Sequence, residues 1–210
     1  MPSIKHFTEF KDILAYFKEN PVWISSFANG EGSFTASLFL DKDSMWGVVP
    51  QCEFNFTQSM IDVTLLNAIN AFFDNLGGVY PRQNNVGTVS FRKLSVLKET
   101  LIPFFLKYPL LGRKSYEFER WVKLVYLLSS KKHVGNTLEA RDAFLSFAFT
   151  LKDLNSSRFN PTKDARLDII IIWLNNLTSV PSMNQKLELI DNIKKITNKI
   201  KADKTDLSNL

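Results

Sequence analysis

One acidic side chain, Glu31, stands between Gly30 and Gly32 in the stretch WISSFANGEGSF, residues 23–34. An ordinary buried helix with a glycine stop accounts for the two glycines. It does not account for a carboxylate delivered immediately before a strand with a polar face. Other reactive residue types have less to offer. Cys52 is the sole cysteine, which excludes an intramolecular disulfide framework and a cysteine-rich zinc site. Its neighbours alternate in strand fashion, so a buried, inert thiol is expected. His6 and His133 lie far apart without ligand spacing and read as structural. The chemistry therefore rests on Glu31 and the polar strand residues that follow it.

The elements that must carry these residues follow from hydrophobic periodicity. Phe7, Phe10, Ile13, Leu14 and Phe17 recur at helical spacing, with Ser3 or Thr8 as cap. Asn20-Pro21 supplies an N-cap and a proline at the first helical position, so a second helix runs from Pro21 to Gly30, where Gly30 and Gly32 stop it. Residues 33–41 and 51–58 alternate polar with apolar, one face wet and one dry, about a loop from Asp41 to Gly47. Residues 60–76 form a helix closed by Gly77-Gly78, and a second hairpin pairs Val79–Arg82 with Thr88–Lys93. The first hundred residues thus read α-α-β-β-α-β-β. Helices are expected near 95–102, 114–131, 137–154, 163–177 and 183–200. Asn136 with Glu139, and Ser182 with Gln185, have capping-box spacing. The last ten residues read as a loose polar tail.

Composition sets outer limits. The 210 residues include 18 phenylalanines and are 45% hydrophobic, as in a globular protein. Basic residues outnumber acidic ones 26 to 21, for a net charge of +5; that is compatible with a polyanionic partner without requiring one. The longest apolar run, Ile169–Leu174, is far short of the roughly 20 residues that span a bilayer. The N-terminus lacks a secretory pattern, so a soluble protein of a reducing compartment is expected, with no membrane partner.

WISSFANGEGSF resembles the signature helix of the LAGLIDADG homing endonucleases in its Gly-Glu-Gly form, with Ile24 to Gly32 on the signature positions. The likeness extends through Phe54-Asn55-Phe56-Thr57-Gln58, Asp62, Leu65-Leu66 and Leu76-Gly77-Gly78-Val79-Tyr80. It continues from Ile102 to Gly112, which is most similar to the C-terminal repeat of two-motif members, and on to Lys114, Phe118, Ser130–His133 and Asn155–Arg158. It covers roughly residues 20–160. The resemblance implies an α+β LAGLIDADG homing-endonuclease fold: an α-α-β-β-α-β-β core in an endonuclease-like domain over 1–160, a helical C-terminal extension over 161–200, and a disordered tail over 201–210.

It also implies a function, a divalent-metal-dependent endonuclease making double-strand cuts at a long DNA site. Glu31 would hold Mg²⁺ or another divalent metal with the Gly30 carbonyl beside it, Gln58 would order water, and Lys107 would face the scissile phosphate, with Lys114 and Arg113 as alternatives. Ser25, Ser26 and Ala28 would form the thin seam against a second signature helix. Ser33, Thr35, Ser37, Gln51, Glu53, Asn55, Arg82, Thr88, Ser90 and Arg92 would read DNA from the polar strand faces, where a two-stranded ribbon fits the major groove. Glu53 must accept from cytosine or pair with a cation. Two positions depart from the family pattern: Ser26 stands where glycine is usual, which widens the seam, and Asn29 replaces the commoner acid. Because one signature supplies one carboxylate, the resemblance implies either a homodimer with two-fold symmetry or another half found elsewhere. The rival is a non-catalytic binder of structured RNA built on the same fold, such as an intron maturase or an organellar ribosome-associated protein; a remnant that only folds is a third reading. The family points to a mitochondrial or other organellar matrix.

Overall fold

The computed structural model describes residues 8–156 and 161–207. Ser3, His6, Phe7, Ser157, Arg158 and the last three residues, all invoked above, lie outside the described residues. Helix α1 (Phe10–Glu19) buries Ile13 and Phe17. Thr8 does not cap it, because Glu9 holds the N-cap position without a side-chain bond. Asn20 closes α1 by donating Nδ2 to the Tyr16 carbonyl at 3.2 Å. Its own carbonyl then accepts from Trp23 N at 3.0 Å, so Asn20 starts the next helix through its backbone and not its amide.

Helix α2 (Val22–Glu31) runs straight through Gly30. The stop is Gly32, whose extended φ of −79° and ψ of 143° begin the first strand. The rings of Phe17, Trp23, Phe27 and Phe56 stack in succession at 4.9, 5.0 and 5.7 Å and seat α2 on the sheet.

Strands β1 (Gly32–Leu40), β2 (Val48–Ser59), β3 (Gly78–Pro81) and β4 (Val86–Phe91) form one sheet in the order β1-β2-β4-β3. β4 pairs antiparallel with β2, setting Asn55 opposite Ser90 and Thr57 opposite Thr88. It pairs with β3 through Tyr80 opposite Thr88. Asn84 and Asn85 turn this second hairpin at φ of 59° and 56°, the left-handed conformation that asparagine tolerates. Arg92 falls just beyond β4 and Arg82 just beyond β3.

A 3₁₀ turn (Met60–Asp62) leads into α3 (Val63–Phe72), shorter than the helix over 60–76 that periodicity suggested. Asp74 and Asn75, at φ of 53° and 56°, end it ahead of the two glycines. Gly77 is small for another reason: a Cβ there would stand 2.8 Å from the Phe91 ring. The dry face of the sheet carries Phe34, Phe54 and Phe91, with Phe34 4.6 Å from Phe54 and 5.2 Å from Trp121. Each such ring contributes about 1.5–3 kcal/mol on burial, and this explains the phenylalanine content.

A helical run follows as α4 (Leu94–Val96), a π turn (Leu97–Leu101) and α5 (Ile102–Lys107), then α6 (Arg113–Ser129), α7 (Leu138–Asn155), α8 (Pro161–Asn176) and α9 (Met183–Leu207). Thr137, not Asn136, caps α7, accepting from Ala140 N. Ser182 and Gln185 do form the reciprocal box, at 2.8 and 3.3 Å. Helix α9 continues to Leu207, past the point where a disordered tail was expected. No helix among the described residues is long and apolar enough to cross a membrane.

The chain forms two compact units. One comprises residues up to Thr35 with Cys52–Val122; the other comprises Ala36–Gln51 with residues from Lys123 onward. The end of the β1–β2 hairpin therefore clusters with the C-terminal helices, and the boundary expected at residue 160 coincides with neither unit.

Candidate functional site

Glu31 is the last residue of α2 and is exposed. Its position is electrostatically unfavourable, because a helix C-terminus already carries partial negative charge. A Cβ built on Gly30 meets nothing within 4 Å, and the Gly30 carbonyl is among the last of the helix, which lack intrahelical partners. Glu31 and this carbonyl thus lie side by side on open surface.

The inner side of the helix end is held firmly. Asn29 donates Nδ2 to the Ser25 carbonyl at 3.3 Å and accepts from Leu111 N at 3.0 Å. Lys114 Nζ donates to the Gly32 carbonyl at 2.8 Å and lies 3.4 Å from Glu117 Oε2. Glu117 is buried, with Arg113 Nε 3.5 Å from its other oxygen. Asn29, Lys114 and Arg113 stand out in the sequence, but Glu117 and the contacts these groups make do not. Only the spacing of Arg113, Lys114 and Glu117 on one helix hinted at them.

The three residues expected at the helix seam divide. Ser25, 1% exposed, donates its hydroxyl to the Tyr108 carbonyl at 2.8 Å, and Ala28 is fully buried. Both are turned into their own chain, because helical geometry puts them on the face that packs. Ser26 is exposed, and with Val22 and Gly30, four residues away on either side, it forms the open ridge of α2.

On the sheet, Ser33, Thr35, Glu53 and Asn55 are half-buried on the polar face. Glu53 Oε1 accepts from Arg92 Nε at 2.9 Å and from the Ser90 hydroxyl, so the cation it needed comes from its own sheet. Thr88 and Ser90, expected to face DNA, are only 3% and 4% exposed. Strand β4 lies between β2 and β3, whose side chains cover them. Thr88 Oγ1 meets Thr57 Oγ1 at 3.3 Å, so both residues tie strands together. Arg82 and Arg92 are exposed. Ser37 and Gln51 are half-buried on the β1–β2 hairpin, in the second unit.

Gln58 is half-buried and accepts from Ser59 N at 2.9 Å. Lys107 is exposed, its Nζ 5.3 Å above the Tyr108 ring. No hydrogen bond or ion pair joins Glu31, Gln58 and Lys107 among the described residues. Lys114 and Arg113 are committed to Gly32 and Glu117. Burial pushes the Cys52 thiol up to about 12, which keeps it protonated and inert.

The donors near Glu31 are oxygens. Among the described residues no group of three or more His, Cys, Asp or Glu side chains converges on a metal position. A carboxylate with one open carbonyl fits a hard divalent cation that keeps several waters, and does not fit zinc.

The family model described as "LAGLIDADG endonuclease" matches residues 24–125, a span that begins in α2 and takes in the whole sheet. Over that span the chain belongs to the LAGLIDADG family. Two Neurospora crassa relatives are each 30% identical: "Probable intron-encoded endonuclease 2" over 77% of this chain, and "Probable intron-encoded endonuclease 3" over 55%. The chain spans 37% and 21% of their respective lengths. The homing endonuclease I-TnaI shares the fold at 22% identity and a TM-score of 0.64, covering 74% of this chain and 97% of its own. I-SmaMI, solved bound to uncleaved DNA in the presence of calcium ions, shares it at 21% identity and a TM-score of 0.63, covering 71% of this chain and 49% of its own. The α+β LAGLIDADG fold anticipated from the signature is the fold this chain adopts.

Proposed function

We propose that this LAGLIDADG chain is a divalent-metal-dependent homing endonuclease that makes double-strand cuts at a long DNA site. One observation carries the reading: Glu31 and the bare Gly30 backbone are presented outward at the end of a helix clamped on its inner side. Nothing in the fold needs an acid there, and the helix dipole opposes it.

Glu31 and the Gly30 carbonyl would hold Mg²⁺, with waters and phosphate oxygens of a bound duplex completing its shell. Such an ion activates water, relieves charge on the phosphorane-like state and stabilises the leaving oxygen. Gln58 would orient water and Lys107 would face the scissile phosphate. Lys107 suits that role better than Lys114 or Arg113, because it is exposed and carries no ion pair among the described residues. Ser33, Thr35, Ser37, Gln51, Asn55, Arg82 and Arg92 would read the duplex, with Glu53 setting the direction of Arg92.

One signature supplies one carboxylate, so cutting both strands calls for a second signature helix; a second copy of this chain would supply it through the ridge of Val22, Ser26 and Gly30. A mitochondrial matrix location rests on the family resemblance.

The test is cleavage of a randomised duplex library with Mg²⁺, comparing wild type with Glu31→Gln. Cleavage should require metal and vanish in the variant while duplex binding persists. Tight binding of structured RNA with no cutting, unchanged by the substitution, would sink the endonuclease reading in favour of an RNA-binding role.

A further inference from the structure

The second unit joins the end of the β1–β2 hairpin to helices that lie beyond the family-matched span. Its turn is built tightly. Asp41 N donates to the Gly47 carbonyl at 2.9 Å, and the Ser44 hydroxyl donates to the Asp41 carbonyl at 2.8 Å. Gly47 closes it at φ of +70°. A Cβ there would also stand 3.0 Å from the Trp173 ring of α8 and 3.3 Å from Lys186 Cγ of α9. A side chain there would be strained by the conformation and would press on both neighbours.

Three hydrogen bonds from separate segments converge on this hairpin. Lys186, 9% exposed, donates Nζ to the Ser44 carbonyl at 2.7 Å. Arg166 of α8 donates Nη2 to the Leu38 carbonyl of β1, an edge strand, at 3.1 Å. Trp46, buried at the turn, donates Nε1 to the Gly135 carbonyl at 2.8 Å. Burying a lysine ammonium and much of a guanidinium against single carbonyls is costly. Burial indeed lowers the Arg166 pKa.

We propose that α8 and α9 are a brace that sets the β1–β2 hairpin, and that Lys186 and Arg166 are positioning residues for base readout by Ser37 and Gln51. The readout half rests on the endonuclease function proposed above. The brace replaces a flexible ribbon with one held at its tip and edge, so the entropy of ordering it is met on folding and not on DNA binding.

Two measurements on the full chain test this. Hydrogen exchange of the free protein should show Lys186→Met and Arg166→Leu losing protection across 36–51, while 54–59 and 86–91 keep theirs. Lys186→Arg and Arg166→Lys should restore it. In a cleavage-preference profile, the same two disruptive variants should lose on the order of tenfold discrimination at the base pairs nearest the β1–β2 hairpin. Discrimination near Arg82, and the single-turnover rate on saturating target, should hold. Unchanged exchange over 36–51 overturns the brace. Preference lost evenly along the site, or unrescued by the conservative variants, overturns the positioning role. A wild type that neither binds nor cuts duplexes defeats the proposed function, and the exchange comparison still decides whether the brace exists.

Discussion

At the scale of single residues, burial assigns roles that residue type leaves open. Cys52 lies on the buried face of β2 with its thiol pushed up to about 12 from an ordinary 9.0. It should therefore resist aromatic disulfide reagents at pH 8 in the native protein and react at once in urea, which a thiol titration reads directly. The folded state also keeps this proton above pH 9, where the unfolded chain loses it. The Cys52 contribution to stability is full below pH 9 and declines as pH rises toward 12. Glu53 shows the same principle among polar groups. Its carboxylate, awkward beside phosphate in the sequence, is answered by Arg92 and Ser90 on the neighbouring strand.

At the scale of elements, the two glycines that frame Glu31 do different work although the sequence shows them as a symmetric pair. A Cβ at Gly32 would lie 2.5 Å from the Ala28 carbonyl oxygen, whereas one at Gly30 meets open space. Gly32→Ala should thus destabilise the protein, by roughly 1–3 kcal/mol as overpacking typically does. Gly30→Ala should leave stability unchanged or raise it by about 0.5–1 kcal/mol, since glycine is a poor helix former. Urea midpoints separate the two. Gly30→Ala should nonetheless impair cleavage, because the added methyl stands on the ridge proposed to meet a mate. Equal loss of stability in both variants would overturn this division of roles.

At the scale of the whole molecule, acid sensitivity should trace in part to one imidazole. His133 packs edge-on against Phe144 at 5.6 Å, its Nδ1 is buried with no hydrogen-bond partner among the described residues, and burial lowers its pKa from 6.5. Below pH 6.5 the unfolded chain takes up a proton that the folded chain refuses. Stability is full above that pH and falls as the pH drops toward the depressed value. His133→Phe should flatten this limb in urea denaturation between pH 7 and 5, while a variant with the wild-type slope would exonerate the residue. The proposed pairing belongs to this scale too. Light scattering should give about twice the 24.1 kDa chain mass when the ridge is intact, and half that when Ser26→Arg blocks it.

Much of the core was legible in the sequence because it is local. Period-two alternation set the strands, helical spacing set the helices, and the Gly-Glu-Gly stretch marked the signature helix. Boundaries moved by a few residues where capping groups competed, as when Asp74 and Asn75 took the helix stop from Gly77. What periodicity could not give was neighbourhood. That Ser25 and Ala28 face inward, that β4 lies between two strands and so buries Thr88 and Ser90, and that Lys186 reaches a turn far back along the chain all depend on contacts between distant segments. A one-dimensional pattern tells which face of an element is dry; only the packed chain decides what covers the other face.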